Sequence, residues 1–257
     1  MIDPRADIHP SAKIAPDVKI GPWTHIGAGV SIGSGTIIES HVVIKGPTKI
    51  GSNNHIFQFA SIGEVPQDKK FKGEDTWLEI GDNNTIRESC TLNRGTVQGG
   101  SVTRLGNDNL LMAYVHVAHD CLLGDGNVFA NYVGLAGHVT VENHVIMGGY
   151  SGVHQFCTLG SYSFIGGNSA IVKDVLPYLM IAGGSNPSAF GLNSEGLKRH
   201  GFSVETISAL KNAYKIIFRH NLTVEDALLQ LAALLKEAPA VALLIDSLKN
   251  SARGIVR

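Results

Sequence analysis

Among the 11 histidines of this 257-residue chain, the most informative lie between residues 116 and 155: His116, His119-Asp120, His138 and His154-Gln155. A neutral imidazole near pH 7 can take a proton from an alcohol. An adjacent carboxylate can orient the ring and stabilise its cation. His119 is thus the candidate general base and Asp120 its partner. Gly137 immediately precedes His138. Lacking a Cβ, it allows close backbone approach, so its N–H can stabilise an oxyanion. General base plus oxyanion donor is the equipment of acyl transfer to a hydroxyl. No activated serine or cysteine accompanies them, which favours direct transfer over an acyl-enzyme. Histidine clusters can also hold zinc. Against that reading, each of these histidines has an amide or Asp neighbour and no carboxylate–His spacing repeats. No metal ligand is therefore assigned.

What relates these residues is a six-residue period. From Ile8 every sixth residue through Ile62 is isoleucine. The register resumes at Ile80, Ile86 and Leu92, and again from Leu105 through Ile171, and all 25 such positions are large and apolar. The next residue is glycine in 11 of the 25, and the fourth is mostly small or β-branched. Such hexads each make one short strand and a turn. Three close an 18-residue triangular coil, and coils stack at the strand spacing of about 4.8 Å. Hexads 18 residues apart share a face, so those starting at Val117, Leu135 and Val153 stack His119, His138 and His154-Gln155 into one column. If 98–104 is a seven-residue insertion, Leu92 lies below Val117 and Asn93 joins the base of the column, with His116 closing the preceding corner. Cys90, Cys121 and Cys157 all fall on the small inward position, which reads as core rather than nucleophile.

The register breaks at 64–79 and 98–104, two loops thrown out from the prism, and inserted loops on a rigid scaffold are usual places for function. Of the 30 glycines, 28 precede residue 201. From 191 onward the pattern is helical: Ser203 and Thr223 are N-cap candidates and Pro239 opens a third helix. Two domains are expected, 1–190 and 191–257. Lys198, Arg199, Lys211, Lys215 and Arg219 give the second a basic character. Net charge is −1 and charged residues are 17% of the chain, against roughly 25% on average, which argues against a nucleic-acid binder. No run of 18 apolar residues spans a bilayer, no secretory pattern opens the chain, and the simplest compartment is the cytoplasm.

The segments HVVIKGPTKIG (41–51), FASIGEVPQD (59–68), NRGTVQGG (93–100), NLLMAYVHVAHDC (109–121), LAGHV (135–139), HQFC (154–157) and EGLKRHGF (195–202) resemble the bacterial UDP-N-acetylglucosamine O-acyltransferase family. This resemblance implies a mainly β fold, a left-handed parallel β-helix of hexapeptide repeats followed by a C-terminal α-helical domain. It implies a homotrimer with active sites between prisms. The reaction it implies is transfer of an (R)-3-hydroxyacyl group from acyl carrier protein to the 3-hydroxyl of UDP-N-acetylglucosamine, the first step of lipid A and hence lipopolysaccharide synthesis. No cofactor of its own is implied, because phosphopantetheine arrives on the carrier protein. The family assigns catalysis to His119, Asp120 and Gly137. It assigns substrate contacts to Asp68, Lys70, His116, His138, His154 and Gln155, and nucleotide contacts to Asn193, Glu195 and Arg199. Gly167 matches the position that limits acyl length, and a glycine there implies a long chain.

Two residues depart from the enterobacterial pattern: Asn93 stands where histidine is found, and His200 where arginine is common. Asn93 leaves open an acceptor with an amine at the sugar 3-position, which would yield an amide. A different hexapeptide acyltransferase using acetyl-CoA, a zinc hydratase resembling γ-carbonic anhydrase, and a purely structural β-helix are the remaining alternatives.

Overall fold

The computed structural model describes all 257 residues. Twenty-seven short strands form three sheets of nine, eight and ten strands, here called the first, second and third. The chain visits them in rotation, so each strand pairs in parallel with the strand one coil above, as in His116↔Gly134 and Gly134↔Gly152. Of the 25 periodic residues, all but Ile8 and Ile14 are buried. Ile8 and Ile14, on the first coil, have no coil below and are half-covered against the same core. Each buried aliphatic side chain contributes roughly 1.5–3 kcal/mol.

The corners explain the glycines. The residue in the left-handed region is the third after the large apolar one, as at Tyr114, Asp120, Tyr132 and His138. The glycine just after the apolar residue serves close approach instead: a Cβ on Gly33 would lie 2.6 Å from the backbone of Gly51 one coil above. On the inward small position after four strands of the second sheet stands asparagine, which the period alone does not single out. Asn54, Asn84, Asn109 and Asn127 form a buried ladder, each Oδ1 accepting a backbone N–H from the coil above. It satisfies backbone groups that burial would otherwise orphan.

Both insertions are present, with bounds shifted from those read by counting. Ile62 pairs with Leu92, 30 residues on, but the strands flanking the first loop are Ser61–Glu64 and Trp77–Ile80, leaving 65–76 outside. The second excursion is 94–101: it contains a 3₁₀ turn, Val97–Gly99, and Val102–Leu105 is already back in the ladder. Periodicity fixes how many residues are inserted; the hydrogen-bond ladder fixes where. Leu92 pairs with Val117, as the seven-residue insertion requires.

Above Ile171 the parallel ladder ends in a hairpin, Leu179–Ala182 with the antiparallel Ser188–Leu192. Four helices follow: α1 (Ser194–Arg199), α2 (Val204–Arg219), α3 (Val224–Leu234) and α4 (Val241–Asn250). Ser203 and Thr223 cap α2 and α3 as expected; α1 and the hairpin lack a helical period long enough to be read in advance. The tail returns to the prism, where Asp174 accepts from Ser251 Oγ at 2.8 Å and pairs with Ile255. No helix is long and apolar enough to cross a membrane.

Cys90, Cys121 and Cys157 are buried, and burial pushes their thiols up to about 12, 12 and 11. The native protein should therefore leave all three thiols unreacted with an aromatic disulfide reagent at pH 8 and release them on denaturation; rapid native labelling would contradict the core placement.

Candidate functional site

The rotation through three sheets gives the prism three edges, and each carries a different set of side chains. The edge leading from the first sheet to the second holds, coil upon coil, the 65–76 loop, the 94–101 excursion, His119-Asp120, Gly137-His138 and His154-Gln155-Phe156. The column deduced from spacing is thus a physical edge.

At its centre, His119 Nδ1 lies 2.7 Å from Asp120 Oδ2. A carboxylate only accepts, so Nδ1 carries the proton and Nε2 keeps its lone pair. The Asp120 side chain is 0% exposed and that of His119 13%. Burial of a charge must be met by hydrogen bonds. Here Thr96 N donates to Oδ1 at 2.7 Å and Thr96 Oγ1 to Oδ2 at 2.6 Å. His138 Nε2 stands 3.7 Å from the same Oδ2, its ring edge-on to His119 and stacked on Phe156. His119, Asp120 and His138 each offer an atom within 4.8 Å of the others, a spacing a metal ion could use. However, the oxygens of Asp120 already accept from Thr96 twice and from His119, so a metal would have to break that set.

Gly137 sits against this dyad. A Cβ there would lie 2.5 Å from His119 Cε1 and 2.8 Å from Nε2, so only glycine lets the backbone reach the basic nitrogen. His116 occupies the flat face of the first sheet rather than a corner, bonded through Nδ1 to Thr91 Oγ1 at 2.7 Å. His154 is exposed and holds the Gln155 carbonyl through Nδ1 at 3.2 Å. Asn93 differs from the expectation that it lines the column. It is 2% exposed, and its Nδ2 donates to the carbonyls of Glu64 and Val65 at 3.4 and 3.0 Å. The short amide reaches the backbone at the root of the first loop instead of the open edge. That loop carries Asp68, whose Oδ1 accepts from Lys70 N at 2.9 Å, and Lys70, which is exposed.

The other candidates lie on different edges. Asn193 caps α1 and donates to the Tyr162 carbonyl at 3.0 Å. At the other end of α1, His200 packs on His144 and Tyr162, at the edge from the second sheet to the third. Burial, then His144, lowers the His200 pKa. Glu195 pairs with Lys198, and Arg199 is exposed. Gly167 belongs to the third edge, where Tyr114, Tyr132 and Tyr150 stack at 4.7 Å. Within one chain, then, the histidine column comes together and the nucleotide and acyl-length candidates do not join it.

Comparison with known proteins decides what this arrangement belongs to. Residues 174–256 match the family model of the second domain of UDP-N-acetylglucosamine O-acyltransferase, and 11–46 and 103–137 match that of bacterial transferase hexapeptide repeats. Acyl-[acyl-carrier-protein]–UDP-N-acetylglucosamine O-acyltransferases of Aeromonas salmonicida and Tolumonas auensis are both 62% identical over 214 residues, 83% of this chain and 81% of each relative. The chain belongs to the UDP-N-acetylglucosamine O-acyltransferase family. Its fold is that of the family, a left-handed parallel β-helix with C-terminal helices. Solved structures similar to it include LpxA from Acinetobacter baumannii, 57% identical with a TM-score of 0.97 over all of this chain and 99% of that one. The UDP-N-acetylglucosamine O-acyltransferase of Moraxella catarrhalis is 55% identical, with a TM-score of 0.98 over the same shares.

Thr96, Gly99 and Thr103 were not singled out from sequence. The available signal was the place of the second break, directly beneath the coil that carries Asp120.

Burial, and secondarily His119, holds the His116 pKa below its ordinary 6.5. The unfolded chain therefore binds this proton first as pH falls, so stability is lost on acidification below about 6.5 and is unaffected above it. His116→Gln should remove that part of the acid sensitivity in urea titrations at pH 7.5 and 5.5; an unchanged difference between the two would count against it.

Proposed function

We propose that this chain transfers an (R)-3-hydroxyacyl group from acyl carrier protein to the 3-hydroxyl of UDP-N-acetylglucosamine, the first step of lipid A synthesis, in the cytoplasm. The observation that carries the mechanism is the 2.7 Å bond from His119 Nδ1 to the buried Asp120 carboxylate, which leaves Nε2 as the proton acceptor. His119 Nε2 takes the proton of the sugar hydroxyl as its oxygen attacks the thioester carbonyl. The Gly137 N–H, on the backbone packed against the His119 ring, stabilises the resulting oxyanion. Collapse breaks the C–S bond, and the imidazolium returns its proton to the departing phosphopantetheine thiolate. Asp120 stabilises the imidazolium in between. No resident cofactor or metal is needed for these steps.

Asp68 and Lys70 on the loop, with His116, His138, His154 and Gln155, serve substrate binding along the same edge. Asn193, Glu195 and Arg199 serve the nucleotide; a guanidinium fork suits diphosphate oxygens. Their position on a second edge, and that of Gly167 on a third, supports a homotrimer in which neighbouring prisms complete each site. The basic residues of the helical part, among them Lys211, Lys215 and Arg219, are suited to the acidic carrier protein.

His119→Ala should lower kcat by about 10²–10⁴ with acyl carrier protein thioester and UDP-N-acetylglucosamine. A near-normal rate, or preferential use of a coenzyme A thioester, would overturn the reading, and hydroxylamine treatment of the product distinguishes an ester from an amide at the sugar. Gly167→Met should shift a mixed-donor product profile toward shorter acyl chains by mass spectrometry; an unaltered profile would remove Gly167 from the acyl path.

A further inference from the structure

Asp120 is held differently from the other residues of its edge. At the equivalent corners above it, His138 N donates to the His119 carbonyl and Phe156 N to the Gly137 carbonyl. Below Asp120 the 94–101 excursion carries the chain away, and the backbone acceptor that the regular coil would supply is displaced. Its place is taken by a side chain: Asp120 N donates to Thr103 Oγ1 at 2.7 Å, and Thr103 is buried. The excursion then folds back over the carboxylate. Thr96 caps its 3₁₀ turn, with Gly99 N donating to Thr96 Oγ1. A Cβ on Gly99 would overlap the Asp120 carboxylate itself, so the turn closes onto Asp120 only with glycine at that place.

We propose that Thr96 is a positioning residue for the general base, acting through Asp120, with Thr103 holding the Asp120 backbone. The proposal rests on the reading of His119 as that base. Thr96 grips both carboxylate oxygens from one residue, N to Oδ1 at 2.7 Å and Oγ1 to Oδ2 at 2.6 Å. Two donors on a planar group fix its plane as well as its position. The consequence is a choice between two imidazoles. Oδ2 is presented to His119 at 2.7 Å and kept 3.7 Å from His138. A carboxylate free to rotate could be shared with His138, and His119 would lose the partner that fixes its tautomer. Because Thr96 bonds to the Asp120 carboxylate and not to the reacting atoms, its removal acts on the chemical step and leaves sugar binding alone.

The test uses the full-length protein with Thr96→Val, Thr96→Ser, His119→Ala and the double variant His119→Ala/Thr96→Val. Thr96→Val should lower kcat about 10- to 100-fold, the size of a lost hydrogen bond to an ionised group, with KM for the sugar nucleotide unchanged. Without the hydroxyl, the carboxylate is shared with His138 and the His119 imidazolium loses part of its anionic partner, so the acid limb of the kcat/KM profile should move to lower pH. Thr96→Ser, which keeps both donors, should restore rate and profile. In the His119→Ala background Thr96→Val should cost nothing more, since the two act as one unit. A wild-type rate and profile for Thr96→Val, a serine variant as impaired as valine, or an additive loss in the double variant overturns the proposal. Should the valine variant not fold, imidazole ¹⁵N shifts of the wild-type protein decide: His119 protonated at Nδ1 supports the clamp, and protonation at Nε2 refutes it. Full activity of His119→Ala alone would instead bring down the general-base reading beneath it.

Discussion

A six-residue coil can stack only if every corner turns within a few residues while the strands before and after stay in register with the coil below. Everything else in this molecule follows from that constraint. It places a large apolar residue inside at each sixth position, a small one four residues later, and a left-handed residue at most corners. It also sets side chains 18 residues apart directly above one another, so a line of chemistry can be built by placing one residue per coil. His138 above Asp120, Phe156 above His138 and the tyrosine stack on another edge are products of the same rule.

The two insertions are where the rule is suspended, and both open on the edge that carries His119. A regular coil satisfies its corner N–H groups with carbonyls of the coil beneath. Interrupting it removes an acceptor but brings in side chains. The molecule uses this exchange at Asp120, whose charge is buried and whose donors are Thr96 and His119, while Asn93 ties down the root of the first loop. Low dielectric makes each of these bonds count for more than it would in water. The edge is therefore tied down by side-chain hydrogen bonds where the base sits.

The C-terminal helices are fastened to the prism at separate places. Asp174 binds the returning tail through Ser251 and the backbone of Ile255. Asn193 and His200 dock α1 on the edge of His144 and Tyr162. The first bond caps the last coil; the second presents Glu195 and Arg199 along an edge other than that of the base. A prism has three edges and one chain cannot face two of them toward each other, which is why a single copy displays the parts of the proposed site without assembling them.

The sequence by itself determined the prism, its core, the number of inserted residues and the column from His119 to Gln155. These depend on strict periodicity, and a period is a local property that survives without coordinates. It also marked the cysteines as core and the ends of α2 and α3 through Ser203 and Thr223, since capping is local as well. Tertiary structure alone decided the rest. Where each insertion leaves the ladder, that Asn93 turns to the loop root rather than the edge, that His116 faces a sheet and not a corner, and that Thr96 and Thr103 clamp Asp120 all depend on contacts between segments whose spacing is irregular. Such contacts are chosen by which donors can reach an unsatisfied buried acceptor. No pattern in the order of residues records that reach.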